Sequence, residues 1–424
     1  MKKTTLCAPL AVAVVSIVVG VGADWLRFRG PAGNGVADDT GLPVTWSATE
    51  HVVWKTAMPG SGASSPITLG DRVFLTCYSG YGLDPDEPGE QENLLHHVTC
   101  IDRATGKIVW DKRSKARLPE TEYDAERFLQ LHGYASSTPA TDGQNVYAFF
   151  GRSGVWAYSI DGDLLWRVSV GSGTHGWGSA NSPVLAGDLV IVNASVESNA
   201  VVALEKATGK EVWRAEGVEK SWSTPVLVEL PNGSRELVVS MLNYVRGYDP
   251  ATGEQLWQCA GVRDYVCPMV VAADGIVYVS GGRSVQTVAV RAGGRGDVTE
   301  THRLWEVRKG TKVPSPLVHE GLLYWVDNGG VACCFDAASG ESIYRERLDL
   351  SGGGDKVYSS VVLADGKLYA VSRKGEAVVL AAGREFKVLA KNDLGDDSIF
   401  NATPVVNNGQ LLLRSDRFLY CLGN

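Results

Sequence analysis

An eleven-residue pattern that recurs along the chain constrains the fold more than any other feature of the sequence. Residues 100–110 read CIDRATGKIVW, in which an acidic residue precedes a turn at Gly106 and an aromatic residue follows that glycine by four positions. Four related segments occupy residues 157–166, 203–213, 247–257 and 334–344. The glycine-to-aromatic spacing is the same in all five copies, which predicts a repeated structural unit and not a single catalytic site.

A second marker precedes each unit and consists of small polar residues that usually end in proline. The eight copies are SSP (64–66), STP (137–139), NSP (181–183), STP (223–225), CP (267–268), PSP (314–316), YSSV (358–361) and ATP (402–404). Successive prolines, or the Val361 that replaces one, are 73, 44, 42, 43, 48, 45 and 43 residues apart. All intervals but the first match the length of a four-stranded blade of a β-propeller.

Each unit has the composition of four short strands, named A to D in chain order. In the first unit, PITLGDRVFLTC supplies strands A and B, VTCID supplies strand C and IVW supplies strand D. The eighth unit ends after its third strand, and HVVWKT at residues 51–56 supplies a fourth. We therefore predict an all-β, eight-bladed β-propeller of four-stranded antiparallel blades, with the ring closed by an N-terminal strand.

The aromatic residue of strand D is expected to cover the neighbouring blade, where a large ring can be buried between two sheets. We call this set the docking aromatics: Trp54, Trp110, Trp166, Trp213, Trp257, Trp305 and Tyr344. The acidic residue and the glycine of the pattern then serve the turn, because a carboxylate accepts backbone N–H groups and glycine readily adopts positive φ. The recurring motif is thus structural, and function is expected where the copies differ.

The N-terminus has the composition of an export signal. Lys2 and Lys3 precede an apolar run, and the small residues Val21 and Ala23 stand at the −3 and −1 positions of a cleavage site. We expect a signal peptide at 1–23, a leader segment at 24–45 and the propeller at 46–424. An uncleaved anchor is the alternative, although the apolar run is short for a membrane span. The protein is expected in the periplasm or outside the cell, without a transmembrane segment after cleavage.

The charge balance argues against nucleic acid as a partner. Two of the 40 lysines and arginines lie in the signal segment, which leaves 38 basic against 48 acidic residues and a formal charge of −10. Such a balance argues against nucleic acid as the main partner, because phosphate backbones are bound mainly by proteins with an excess of positive charge.

The A-x-D/E-x-x-T-G-K-x-x-W pattern resembles the repeat of the pyrroloquinoline quinone (PQQ) propellers. That family contains the quinoprotein alcohol dehydrogenases and the non-enzymatic BamB-type outer-membrane assembly factors. The resemblance covers about residues 46–424 and is greater to the BamB type in length and blade number, since the dehydrogenases are larger and interrupt their blades with long loops. The chain departs from BamB in lacking a lipobox, because Cys7 lies before most of the apolar run. The segment WLRFRGPAGNGV (25–36) resembles the leader of exported PQQ-like propellers of unassigned function.

The cysteines have both a structural and a functional interpretation. Quinoprotein dehydrogenases carry a vicinal disulfide against the cofactor, and Cys333 and Cys334 are adjacent here. The third strands align Cys334 with a position that takes small residues, namely Cys100, Ala157, Ala203, Gly247, Ala289 and Cys421. We therefore interpret Cys334 as a packing residue. Cys77 and Cys100 either form a disulfide across strands B and C of blade one or remain two unbridged packing cysteines.

Two long insertions are predicted to lie over one face of the propeller. Residues 78–97 join strands B and C of blade one, and residues 112–135 join blade one to blade two. B–C and D–A connections share one rim of such a ring, and loops of this length are usually functional or mobile. The insertions contain His96, His97 and His132 beside several acidic residues, but no metal-ligand spacing is present. We interpret them as solvated loops and predict no metal site.

Cationic and aromatic residues recur in the shorter connections of the same rim. The candidate ligand- or partner-binding residues are Arg152, Arg283, Arg373, Arg417, Lys220, Lys312, Lys356, Trp222, Asp264, Tyr265 and Tyr358. A ring of cations at one channel mouth could attract an anionic ligand such as an acidic peptide segment. The alternative is that turns tolerate Arg and Lys and that ion pairs neutralise them.

Two functions remain open from the sequence. The favoured one is an exported, non-catalytic propeller that binds a protein partner or the cell envelope through its loop-rich face, with no cofactor. The other, implied by the resemblance, is a PQQ-dependent oxidoreductase of alcohols or sugars that holds PQQ with calcium. Asp264 and Trp222 are the nearest candidates for its base and its channel tryptophan, but no Glu-Asn pair for calcium can be placed. No catalytic residue is assigned.

Overall fold

The computed structural model describes residues 23–84, 86–123 and 128–424, so the predicted signal peptide lies, apart from Ala23, outside the described residues. Eight antiparallel sheets form a β-propeller, which confirms the predicted fold class. The strands, from inner A to outer D, are Ile67–Leu69, Arg72–Ser79, Leu95–Asp102 and Ile108–Lys115 in blade one; Ala140–Thr141, Asn145–Phe149, Val155–Ser159 and Leu164–Val168 in blade two; Val184–Ala186, Leu189–Ala194, Ala200–Glu205 and Glu211–Glu216 in blade three; and Val226–Glu229, Arg235–Met241, Tyr244–Tyr248 and Gln255–Ala260 in blade four.

The second half of the ring repeats this arrangement. Its strands are Val271–Ala273, Ile276–Gly281, Gln286–Arg291 and Arg303–Val307 in blade five; Leu317–His319, Leu322–Val326, Val331–Asp336 and Ser342–Arg347 in blade six; Val362–Ala364, Lys367–Val371, Ala377–Ala381 and Val388–Asn392 in blade seven; and Val405–Asn407, Gln410–Arg414 and Phe418–Leu422 in blade eight. Val52–Ala57 pairs antiparallel with Phe418–Leu422 as strand D of blade eight. The predicted N-terminal strand therefore closes the ring.

Helical structure within the described residues is limited to short turns in the connections. These are Gln91–Asn93, Phe128–Leu131, Gly151–Ser153, Ser195–Ser198 and Thr299–His302. No helix in this part of the chain has the length and apolar character to cross a membrane. Two short strands extend blades in parallel: Val36–Ala37 joins strand A of blade seven, and Gly296–Asp297 joins strand D of blade four.

The docking aromatics lie on the C–D turn of the following blade. Five of their indole groups donate N–H to a carbonyl of that turn, namely Trp54 to Arg103 (2.8 Å), Trp110 to Ile160 (3.2 Å), Trp166 to Lys206 (2.9 Å), Trp213 to Pro250 (3.2 Å) and Trp305 to Ala337 (3.0 Å). Across the sheet each faces a small residue of strand C, as Cys100 faces Trp110. The repeat thus combines a glycine turn, a flat ring and a small neighbour to join consecutive blades.

Trp257 docks in a different way. Its indole N–H donates to the Glu236 carboxylate of its own blade at 2.7 Å, and the same oxygen accepts the N–H of Gly293 in blade five at 3.0 Å. A buried carboxylate therefore bridges blades four and five where other blades use a backbone carbonyl. Tyr344 faces Cys334 and is also buried, but its hydroxyl has no hydrogen-bond partner among the described residues.

A ring of hydroxyl groups surrounds the central channel where the A strands begin. In it a backbone N–H of one blade donates to a Ser or Thr oxygen of the next. The bonds are Ser65 to Thr138 (2.9 Å), Thr138 to Ser182 (3.0 Å), Ser182 to Thr224 (2.9 Å), Met269 to Ser315 (2.9 Å), Ser315 to Ser360 (2.8 Å), Ser360 to Thr403 (3.0 Å) and Thr403 to Ser65 (3.0 Å). We call this the hydroxyl ring, and it explains why the pre-strand marker contains Ser or Thr.

The hydroxyl ring is interrupted between blades four and five. Relative to strand A, the Cys267-Pro268 marker lies two residues earlier than in other blades, so Met269 takes the position that Ser65 holds in blade one. Methionine has no hydroxyl to accept the next N–H. Ser223 instead donates its hydroxyl to the carbonyl of Pro268 at 2.9 Å. The sequence marker was therefore out of register at this blade.

The leader crosses the channel at the end opposite the loop face. Thr68 of blade one and Trp25 exchange two hydrogen bonds, and Leu26 accepts the N–H of Thr141 in blade two. Further on, the fully buried guanidinium of Arg29 donates to the carbonyl of Pro316 in blade six at 2.5 Å. The contacts at Thr68 and Thr141 lie three residues after Ser65 and Thr138 of the hydroxyl ring, toward the end of strand A that is farther from the loop face. The leader therefore spans the channel floor from blades one and two to blade six.

In blade one the structure corrects the placement of two histidines and decides between the two alternatives for Cys77 and Cys100. Strand C begins at Leu95, so His96 and His97 are buried strand residues and do not lie in a solvated loop. Cys77 pairs with His97 and Cys100 pairs with Phe74 in the register of strands B and C. The two cysteines pack in different apolar clusters, Cys77 with blade eight and Cys100 with blade two. Their thiols are free, because the register separates them and turns them to opposite faces of the blade.

Candidate functional site

A cavity of about 510 Å³ occupies the channel mouth on the loop face. Its wall includes one residue from each blade, two positions before the hydroxyl ring: Ala63, Ser136, Ala180, Trp222, Cys267, Val313, Tyr358 and Asn401. Phe28 of the leader lines the cavity from the opposite end. Because the leader crosses that end of the channel, the loop face provides the entrance. Phe28 thus covers part of the inner end of the site.

Aromatic side chains form the wall contributed by blades three to five. Trp177 packs against Trp222 with ring centroids 4.9 Å apart and meets Tyr265 edge-on at 4.6 Å. His175 meets Trp222 edge-on at 4.9 Å. We call His175, Trp177, Trp222 and Tyr265 the aromatic wall. Such a surface buries apolar or aromatic groups of a ligand at low cost in side-chain entropy.

Backbone carbonyls fix the aromatic wall in place. The indole N–H of Trp222 donates to the carbonyl of Gly178 at 2.7 Å. The Nε2 of His132, from the second insertion, lies 2.8 Å from the carbonyl of Trp177, and its Nδ1 bonds Ser136. The insertion of residues 112–135 therefore supports the wall through His132 and does not merely cover the face.

The edge of the cavity beside Tyr265 is polar and cationic. Arg283 and Lys312 line it from blade five and from the connection to blade six, and both side chains are exposed. Asp264 accepts the backbone N–H of Tyr265 at 2.8 Å and that of Arg283 at 3.1 Å, so its carboxylate fixes the backbone of two rim segments. The structure thus brings these predicted residues together at one mouth.

The remaining predicted cations have other positions. Arg152 donates to the carbonyls of Ser172 and Leu118, and Lys356 donates to Leu350 at 2.6 Å. The guanidinium of Arg373 lies 4.7 Å from the Tyr358 ring and bonds Asn401. Lys220 and Arg417 are exposed on the rim without lining the cavity. The predicted ring of cations is therefore a sector, and several of its members hold loops together.

Burial keeps most titratable groups of the cavity uncharged near neutral pH. It lowers the pKa of His132 and, with the charge of Lys220, the pKa of His175. Burial also raises the pKa of Tyr265, Tyr358 and Cys267 to about 12. The charges that a ligand meets inside the mouth therefore come from Arg283, Lys312 and Asp355.

A second, much smaller cavity lies behind the aromatic wall. His96, Glu120 and Ser179 line it, and both ring nitrogens of His96 lack a partner among the described residues. The adjacent Glu197 accepts a short hydrogen bond from Ser179, and burial raises the pKa of Glu197 and of Glu120 to about 7. These buried groups connect the insertion to the segment that carries Trp177.

The family model for outer membrane protein assembly factor BamB matches residues 95–224 and 242–410. The chain belongs to this family. No curated protein matches the chain significantly in sequence.

Solved structures share the fold at low identity. BamB from Moraxella catarrhalis is similar with a TM-score of 0.63 and 13% identity, over 88% of this chain and 97% of that chain. The computationally designed Ika8 protein has a TM-score of 0.57 and 12% identity, over 87% and 98%. A europium-containing methanol dehydrogenase has a TM-score of 0.54 and 11% identity, over 95% and 98%. Both a BamB and a dehydrogenase are thus fold relatives of this BamB-family chain.

The cavity of this BamB-family chain does not fit a PQQ–calcium centre. Calcium would need free carboxylate and amide oxygens, and Asp355 is the one carboxylate among the described lining residues. The amide oxygen of Asn328 accepts two backbone N–H groups, and that of Asn401 accepts from Arg373. No group of three or more His, Cys, Asp or Glu is placed for a metal within the described ranges.

The vicinal cysteines do not contribute to this cavity either. Cys333 packs with blade five, whereas Cys334 packs with blade seven and faces Tyr344. Both thiols are free and buried. Consecutive strand residues point to opposite faces, so this pair lies between blades, away from the channel.

Sequence reasoning missed several cavity residues. They are His175, which packs against Trp222, and the lining residues Trp177, Asn328, Asp355 and Asn401, together with the wall position of Cys267. One signal was present for the first two: GSGTHGWGSA at residues 171–180 is a D–A connection that carries a histidine and a tryptophan directly before a marker. Connections that depart from the repeat, and not only their cations, indicate the site.

Proposed function

We propose that this protein is an exported, non-catalytic binding propeller that holds a segment of a partner protein in its loop-face cavity. The single observation that carries the proposal is a pocket of about 510 Å³ at the loop-face mouth of the channel, with an aromatic wall and a cationic edge. Protein-binding hot spots are rich in Trp, Tyr and Arg, which are the residue types found here. Membership of a family described as an outer membrane protein assembly factor supports a protein partner and a location outside the cytoplasm.

The two insertions enlarge the proposed binding face. The described residues of the connections 80–94 and 116–139 leave blade one on the rim that carries the cavity. Gln91 and Glu120 exchange two hydrogen bonds, each 2.9 Å, between the amide side chain of one insertion and the backbone of the other. These bonds hold the described parts of the two insertions together beside the cavity. A partner segment that enters the pocket would contact the insertions on the way in.

The proposal is tested by comparing partners recovered with the wild type and with cavity variants. Trp222→Ala and Tyr265→Ala remove the wall, whereas Leu165→Ala truncates an exposed apolar side chain on the outer strand of blade two. We expect one set of envelope proteins to be lost with both cavity variants and kept with Leu165→Ala. If every partner is retained by folded cavity variants, the cavity is not the binding site.

The oxidoreductase alternative has its own test. Addition of PQQ and Ca²⁺ to the mature protein, followed by measurement of stoichiometric binding and of dye reduction with alcohols and sugars, separates the two functions. We expect neither binding nor reduction, because the amide oxygens of Asn328 and Asn401 are engaged. Stoichiometric PQQ binding with dye reduction would overturn the non-catalytic proposal.

A further inference from the structure

Five cations lie in the loop-face connections around blade five, and two of them, Arg283 and Lys312, line the cavity. The other three were not among the predicted binding residues. All five lie in three neighbouring connections: the one entering blade five (261–270), its B–C turn (282–285) and the one leaving it (308–316). The five are Arg263, Arg283, Arg308, Lys309 and Lys312, and all are exposed. We call them the blade-five patch. The three connections contain a single carboxylate, Asp264.

The blade-five patch is not neutralised within the part of the chain that the structure describes. No side chain of its five members forms an ion pair or a side-chain hydrogen bond there. Some other rim cations are engaged, as Arg152 and Lys356 are with backbone carbonyls, whereas Lys220 and Arg417 are single exposed residues in other connections. Exposed, unpaired charge of one sign in an otherwise acidic protein is a feature of surfaces that attract a complementary partner.

The opposite side of the same face has the opposite charge. Residues 80–94 of blade one carry five exposed carboxylates and no Lys or Arg: Asp84, Asp86, Glu87, Glu90 and Glu92. Blades one and five are diametrically opposed in a ring of eight. The face is therefore electrically polarised across the cavity, and a ligand of one charge can be attracted at only one of its edges.

This arrangement favours a narrow acidic polypeptide over other anions. Five charges spread over three connections match carboxylates along an extended chain better than one compact phosphate, which needs convergent donors. An anionic membrane would cover the whole face and meet the carboxylates of residues 80–94, which would repel it. A polypeptide segment can cover the blade-five patch alone and still place an apolar side chain against Trp177 and Trp222.

We propose that the blade-five patch recognises a carboxylate-rich segment of the partner protein whose apolar or aromatic side chain enters the cavity. This inference rests on the proposed function and specifies its partner. Arg283 and Lys312 belong to both the patch and the cavity lining, so the acidic residues and the inserted side chain are neighbours along the bound segment. The patch also steers the segment toward blades five and six and away from blade one.

The test uses fluorescence anisotropy with a defined probe. The probe is a fluorescein-labelled peptide of alternating glutamate and glycine with one central tryptophan, and its matched partner has glutamine for glutamate. We expect the acidic peptide to bind at low ionic strength and to dissociate in about 1 M NaCl, where the Debye length is roughly 3 Å. Arg283→Glu with Lys312→Glu should weaken binding about tenfold or more.

A matched control makes the same charge change on the opposite face. Lys107→Glu with Lys210→Glu alters two exposed lysines of C–D turns and should leave the affinity unchanged. Equal binding of both peptides, or equal loss in both double variants, overturns the inference. If the cavity variants lose the natural partner while the Arg283/Lys312 variant keeps it, the inference of an acidic partner segment is overturned and the proposed binding function stands. If neither loses the partner, the proposed function fails.

Two other occupants are outcomes of the same experiments. Sedimentation of the wild type as a dimer that the Arg283/Lys312 variant cannot form would assign the patch to residues 80–94 of a second copy. Flotation with vesicles containing phosphatidylglycerol, lost in the same variant, would assign it to a membrane. Either result overturns the proposal of an acidic polypeptide.

Discussion

Ser65 in blade one accepts the backbone N–H of Thr403 in blade eight at 3.0 Å, so the hydroxyl ring joins the last blade to the first. Both residues are buried. Ser65→Ala would leave this N–H without an acceptor, which costs about 1–3 kcal/mol of unfolding free energy. Ser65→Thr should be tolerated, because Thr138 and Thr224 occupy equivalent positions. Urea unfolding measures both, and equal stability of the Ala variant and the wild type would contradict a closing role for this bond.

The packing of the docking aromatics on the turn glycines leads to a second prediction, which concerns replacement of those glycines by alanine. A Cβ at Gly106, where φ is +72°, would lie 2.7 Å from the Trp54 ring, whereas a Cβ at Gly366, where φ is +66°, would meet nothing within 4 Å. Gly366→Ala therefore tests backbone strain alone, about 1 kcal/mol. Gly106→Ala should be more destabilising by roughly a further 1–3 kcal/mol, because it also displaces the ring. Similar thermal unfolding midpoints of the two variants would mean that docking contributes little.

Stability should depend on pH through Glu197. Burial raises the pKa of its carboxyl from 4.5 to about 7, so between these values the folded protein binds a proton that the unfolded chain has released. The contribution of the Glu197 carboxyl to the free energy of unfolding is therefore fully present below about pH 4.5. It falls by a few kcal/mol as the pH rises to about 7. Glu197→Gln should flatten the dependence.

Urea midpoints measured between pH 5 and pH 8, a window set by that pKa, check this prediction. Glu229→Gln replaces an exposed carboxyl and should keep the wild-type slope. The slope of Glu197→Gln will not vanish entirely, because the pKa of Glu120 is raised for the same reason. A Glu197→Gln profile that coincides with the wild type would show that Glu197 does not carry this linkage.

The fold could be predicted from sequence because its determinants repeat. Blade docking has three local requirements: a turn glycine, an aromatic residue four positions later, and a small residue on strand C opposite that aromatic. Each copy of the repeat therefore carries all three in linear order. Ser and Thr of the marker likewise serve the hydroxyl ring. The one misplaced marker, at Pro268, shows the limit: proline suits a strand start at either of two positions, and only the register of Val271–Ala273 decides between them.

The site could be predicted only in part because its determinants do not repeat. Tyr265 and Tyr358 were found since they stand beside a marker, whereas Trp177 lies five residues before Ser182 in a connection with no counterpart elsewhere. His96 and His97 were misplaced because strand C of blade one begins three residues earlier, and strand B ends two residues later, than the repeat suggests. Charge alone also could not separate loop-fixing cations such as Arg152 from exposed ones such as Arg283.

Cys267 offers a chemical readout of the cavity. It is the one partly exposed cysteine among those from Cys77 to Cys421, and its side chain lines the pocket. Burial raises the pKa of its thiol to about 12, and the thiolate is the reactive form. Iodoacetamide should therefore label Cys267 slowly, about tenfold faster for each pH unit between roughly pH 7 and 9, and Cys267→Ala should remove the labelling. A ligand in the cavity should protect the thiol, as measured by peptide mass spectrometry. Faster labelling of another cysteine than of Cys267 in the folded protein would contradict this placement. A labelling rate that levels off near pH 8 would contradict it as well.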